Sequence, residues 1–137
     1  MSAAMTLLDE GPLAVEAARD RAKAAFAVHL VALATEVAPG EILRASRSRT
    51  RAARSRWMAM YLLHTGLSVP LSRVAAAFGR DRTTVGQAVN RVEDWRSDPT
   101  VDRVMGELER CALLAPGDTA ARALAGDARL GEAERRP

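Results

Sequence analysis

Between residues 12 and 114, apolar residues recur every three to four positions, and short stretches containing Gly or Pro interrupt the recurrence. That spacing lines up side chains along one face of a helix. It cannot serve a strand, whose faces alternate at every second residue. No stretch shows the alternating pattern, β-branched residues are few, and Ala and Arg dominate, which favours helix. An all-α chain is therefore expected.

The interruptions divide the pattern. From about Pro12 to Val37 the sequence reads as one long helix, with Leu13, Ala17, Ala24, Val28, Val31 and Ala32 near helical spacing and Pro12 in the first turn. Pro39-Gly40 ends it, and GEILRA (40–45) fits a single short turn. The arginine-rich RSRTRAARSR (47–56) leads into WMAMYLLHTG (57–66), apolar nearly all round and so expected as the central buried helix. Trp57, Met60, Tyr61 and His64 share one side of it, and Gly66 stands where a left-handed cap belongs. A third helix follows in LSRVAAAFG, with Leu71, Val74, Ala75 and Phe78 inward. A fourth starts near Asp81 and turns Val85, Ala88, Val89, Val92 and Trp95 inward. A fifth runs from about Thr100 to Leu114, with Val101, Val104, Met105 and Leu108 inward. Residues 1–11 are expected to form a flexible N-terminus, 12–115 the folded domain, and 116–137 a mobile, disordered tail.

Net charge is only +3, but it is unevenly placed. Residues 44–91 hold ten arginines and a single acid, Asp81, for a net +9, and the rest of the chain carries −6. A basic centre with acidic flanks implies a localised anionic partner. The single cysteine, Cys111, excludes an internal disulfide and a Cys-based zinc site and reads as a small apolar residue on a helix. No apolar run reaches the roughly 18 residues of a membrane span, and the N-terminus is no secretory signal, so a cytoplasmic protein is expected.

Enzymatic chemistry finds little support. The one lysine, Lys23, lies in no Gly-rich phosphate loop, His29 and His64 fall within apolar helices, and neither a Ser-His-Asp arrangement nor HExxH occurs. No catalysis, metal or cofactor is expected. The pair of helices at 70–95 is more informative. Two short helices joined by a tight glycine-containing turn outline a helix-turn-helix, whose second helix enters the major groove of DNA. The segment FGRDRTTV (78–85) puts short donors and acceptors at the leading end of that helix. Asp81 can accept from a cytosine amino group, Arg82 can fork onto guanine, and threonine can offer a hydroxyl to phosphate or a methyl to thymine. The simpler alternative is that Asp81 or Thr83 only caps the helix. Capping leaves the flanking arginines and the upstream arginine run unexplained.

ARSRWMAMYL (53–62), VPLSRVAAAFG (69–79) and RDRTTV (80–85) together resemble the C-terminal DNA-binding domain, domain IV, of the bacterial replication initiator DnaA, over roughly residues 25–110. The resemblance implies that Asp81, Arg82 and Thr83 face bases in the major groove and that Thr84 binds backbone phosphate. It implies that Arg56 binds phosphate, that the backbone at Leu71 and Ser72 meets phosphate, and that Arg47 or Arg49 reaches into the minor groove. The sequence departs from the family pattern in three places: a single glycine, Gly79, replaces a pair, Arg82 replaces a histidine, and His64 stands where a basic phosphate contact is common. The family's nucleotide-binding motor and oligomerisation domain have no counterpart in these residues, so a stand-alone domain without ATPase activity is expected.

Two functions follow. The first is a regulator that binds double-stranded DNA at DnaA-box-like sites as a monomer and modulates replication initiation or transcription. The second is a protein-interaction adaptor that acts on the initiator or its regulators without specific DNA binding.

Overall fold

A computed structural model describes residues 11–44 and 50–114, and among them every regular element is an α-helix. In chain order these are α1 (Pro12–Thr35), α2 (Pro39–Arg44), α3 (Thr50–Thr65), α4 (Leu71–Phe78), α5 (Arg82–Trp95) and α6 (Pro99–Leu114). Residues 1–10 of the expected flexible N-terminus, Arg47, Arg49, residue 115 and the expected tail at 116–137 lie outside the described residues.

Helix α3 packs against all five other helices. Its Ala59, Met60, Tyr61, Leu62 and Leu63 are buried in succession, as the nearly continuous apolar run requires. Around them close Val28 and Val31 of α1, Ile42 of α2, Val74 of α4, Val85 and Val92 of α5, and Met105 of α6. Truncating a fully buried leucine such as Leu62 would cost about 2–5 kcal/mol.

Four expectations are corrected. Helix α3 starts at Thr50, so part of the arginine run is helical. Ala53, Ser55 and Arg56 are already buried there, and the Ser55 hydroxyl donates to the Arg51 carbonyl at 2.8 Å. Helix α1 ends at Thr35, with Glu36 left-handed at φ 59°. The Arg51 guanidinium donates to the Thr35 carbonyl at 2.6 Å and so satisfies that helix end. The first turns of α1 overhang the core: Leu13 is 81 % exposed and Ala17 is exposed, whereas Asp20 is buried. Gly66 is not left-handed, because the positive-φ glycine among the described residues is Gly79. Gly66 is needed for space: a Cβ there would lie 2.9 Å from the Leu62 carbonyl oxygen and 3.2 Å from the Ala112 Cβ. Cys111 lies on α6, as expected, but faces solvent.

Helices α4 and α5 pack on each other across a turn of three residues, 79–81. Gly79 has φ 65° and ψ 36°, a conformation glycine adopts without the Cβ penalty. Its N–H donates to the Ala76 carbonyl at 3.3 Å, and the Arg80 N–H donates to Ala75 at 2.9 Å. These two bonds form a Schellman motif, so one glycine is enough to turn the chain. On its far side α4 is tied to α1. The Arg73 guanidinium forks onto the buried Asp20 carboxylate and also meets Glu16 at 2.8 Å. A second polar cluster joins α3, α5 and α6. There the Tyr61 hydroxyl donates to Glu93, and Arg96 donates to Tyr61, Asp102 and Glu109.

Candidate nucleic-acid interface

The site is built around the leading turn of α5. Asp81 is its N-cap, in extended conformation. One carboxylate oxygen accepts from the Thr84 N–H at 2.7 Å and the other from the Thr84 hydroxyl at 3.0 Å. Those bonds hold the Asp81 carboxyl below the usual carboxylate range. Capping and exposure coexist: Asp81, Arg82, Thr83 and Thr84 all face solvent. Each Asp81 oxygen keeps a further lone pair for an outside donor.

Behind this turn, Val85, Ala88 and Val92 fix α5 on the core, so the opposite face points outward. Asp81 is the only acid the sequence places between residues 42 and 92, a stretch that carries ten arginines. Leu71 is half-buried and Ser72 exposed in the first turn of α4. Arg56 is buried, with 6 % of its surface accessible. Burial and then the nearby charge of Arg80 push its guanidinium below the usual arginine range. His64 is half-buried, and its Nδ1–H donates to the Val69 carbonyl at 2.8 Å, which leaves Nε2 as its other polar atom.

The structure also separates the basic residues by role, which the charge count alone could not do. Arg51 is used at the end of α1 and Arg73 in its carboxylate pair. Arg91 stacks 4.7 Å from the Trp57 ring centre and Arg54 5.8 Å from that of Trp95, while the two indoles lie 5.8 Å apart. Arg80 was not singled out from sequence, yet it lies close enough to Arg56 to perturb it. The signal available was its place directly after the turn glycine. Among the described residues no cluster of His, Cys, Asp and Glu could hold a metal ion, and no helix is long and apolar enough to cross a membrane.

A short helix packed on a longer one across a glycine turn, with the longer helix leading outward, defines a helix-turn-helix. Residues 27–92, which contain α4 and most of α5, match the family described as the bacterial dnaA protein helix-turn-helix. A solved structure titled as that of a DNA replication initiation factor superposes with a TM-score of 0.64 at 32 % identity, covering 73 % of this chain. This chain spans 31 % of that protein's length. No curated protein sequence matches the chain.

Proposed function

We propose that this protein is a sequence-specific binder of double-stranded DNA that recognises DnaA-box-like sites and regulates replication initiation or transcription. The observation that carries the reading is the exposed leading turn of α5, capped by Asp81 within a stretch of sequence that carries ten arginines. Asp81, Arg82 and Thr83 meet base edges, and Arg47 or Arg49 enters the minor groove. Leu71 and Ser72 offer backbone N–H groups to phosphate from the first turn of α4, where such groups have no intrahelical partner. Thr84 exchanges Asp81 for a phosphate oxygen. Arg56 and Arg80 repel one another, and a phosphate between them relieves that repulsion. His64, in its protonated form, donates from Nε2–H to a phosphate oxygen. The protein acts as a monomer, in the cytoplasm, at the nucleoid.

Two substitutions test the assignment. Asp81→Ala should relax sequence choice by about 1–3 kcal/mol at one base pair. Arg56→Met, which keeps the aliphatic stem, should weaken all sequences alike and flatten the salt dependence by about one phosphate contact. Binding left unchanged by both, in variants that stay folded, would refute the site.

A second reading has its own observation. Met58, Trp95, Val101 and Val104 line an open groove of about 540 Å³ between α3, α5 and α6, with Asp94 and Asp98 on its rim. Such a surface suits an adaptor that engages the initiator or one of its regulators. Recovery of a replication protein after nuclease treatment, lost on Val101→Glu, would favour it.

A further inference from the structure

Beyond its leading turn, α5 carries a stripe of uncharged polar side chains, and this inference rests on the DNA-binding reading above. Val85, Ala88 and Val92 face the core. The positions opposite them on the helix are Thr83, Gln87 and Asn90, at i, i+4 and i+7, and all three are exposed. Among the described residues, neither Gln87 nor Asn90 makes a hydrogen bond, ion pair or ring contact through its side chain. Several polar side chains elsewhere in these helices differ in this respect. Arg73, Arg91, Tyr61 and Arg96 are each engaged by a carboxylate, a ring or both. Gly86 sits beside the stripe, where a Cβ would meet nothing within 4 Å. It costs helix stability with no packing reason inside the protein, and it leaves the backbone there open to close approach.

We infer that Gln87 and Asn90 are further specificity-determining residues, each reading an adenine through its N6 and N7 groups in the major groove. A primary amide presents one acceptor and two donors side by side, which matches the adenine donor and acceptor edge and no other base as well. Gln87 lies about 6 Å and Asn90 about 10.5 Å along the helix from Thr83. Successive base pairs are about 3.4 Å apart, so the stripe spans two to three base pairs beyond those met by the leading turn. Asp94 follows on the same face and is exposed. Its charge repels phosphate and ends the stripe after Asn90. The side chains at 87 and 90 are neutral, so they add selectivity without neutralising a phosphate.

The test is selection of bound duplexes from a randomised library by the full chain and by the Gln87→Ala and Asn90→Ala variants. Each variant should lose preference for adenine at one position while the rest of the selected motif persists. Replacing that adenine by 7-deazaadenine should weaken the wild-type protein and leave the matching variant indifferent. Affinity for the selected duplex should fall roughly 5- to 100-fold, with the salt slope unchanged. Both side chains are solvent-exposed, so the melting temperature should not move. If the wild-type protein selects a motif and both variants select the same one with the same strength, the inference is overturned alone. If the wild-type protein selects no motif, the inference falls together with the proposed function.

Discussion

The Arg73 guanidinium grips the Asp20 carboxylate across 53 residues of sequence, Nε to Oδ2 at 2.8 Å and Nη2 to Oδ1 at 2.7 Å. Asp20 is 5 % exposed. The pair fixes the first helix of the helix-turn-helix against α1, and it withdraws Arg73 from the positive surface. Asp20→Ala should cost about 1–3 kcal/mol, between the values for exposed and fully buried pairs, because the Arg73 side chain keeps partial exposure and its contact to Glu16. Arg73→Ala should cost at least as much, since it strands a buried carboxylate, yet leave the salt dependence of DNA binding unchanged. Urea melts of the single and double variants check the coupling.

The same pair sets an acid limit. The hydrogen bond from Arg73 holds the Asp20 carboxyl below its ordinary range. A depressed folded value means that the stabilisation is complete above the unfolded value, near about 3.9, and is lost as pH falls through the folded one. Melting temperature followed from neutral pH downward should therefore decline less steeply in Asp20→Asn than in the unaltered protein.

Tyr61 sets the opposite limit. Burial, and then the Glu93 carboxylate that its hydroxyl donates to, raise the phenol above its usual value. Its contribution is complete below the unfolded value near about 10 and fades as pH rises through the folded one. The chain has a single tyrosine, so an ultraviolet titration reads it without overlap from another phenol. Tyr61→Phe should cost about 1–2 kcal/mol through the lost bonds to Glu93 and Arg96.

The glycines divide by cause. Gly66→Ala forces a methyl against the Leu62 carbonyl and Ala112, and should destabilise by about 1–3 kcal/mol. Gly79→Ala meets nothing within 4 Å but must hold φ 65°, which costs about 1–2 kcal/mol. Gly106, inside α6, where a Cβ would meet only the flexible Arg110 guanidinium at 4.0 Å, should gain about 0.5–1 kcal/mol on replacement by Ala. Equal effects at all three positions would contradict these assignments.

Much of this was legible in the sequence. The inward residues of α4 and α5 follow the 3.6 period directly, and Val74, Val85, Ala88 and Val92 are buried as read. The start of α3 was not legible, because arginines at 51, 54 and 56 look solvent-facing until one sees that Arg51 closes the end of α1 and that Arg56 is buried. In α1 the apolar period continues to Leu13, but no described residue covers Leu13 or Ala17, and an aspartate takes the buried place because its cation arrives from α4. Pairings such as Asp20 with Arg73 or Tyr61 with Glu93 span 53 and 32 residues, and no local pattern encodes them. At the site, the RD-x-TTV spacing revealed the cap and the exposed turn together. The division of arginines between structure and surface required coordinates.

The central claim is that the exposed turn of α5 reads sequence in double-stranded DNA. Fluorescence anisotropy with a DnaA-box duplex and a scrambled duplex of the same length, across a salt series, tests it most directly. The account predicts at least a roughly tenfold preference for the box, a threshold set well below the roughly thousandfold or greater preference usual of specific over non-specific binding. For about six phosphate contacts, log K should fall against log salt with a slope of about −5. Equal affinity for both duplexes at every salt concentration, or no binding to either, would contradict it.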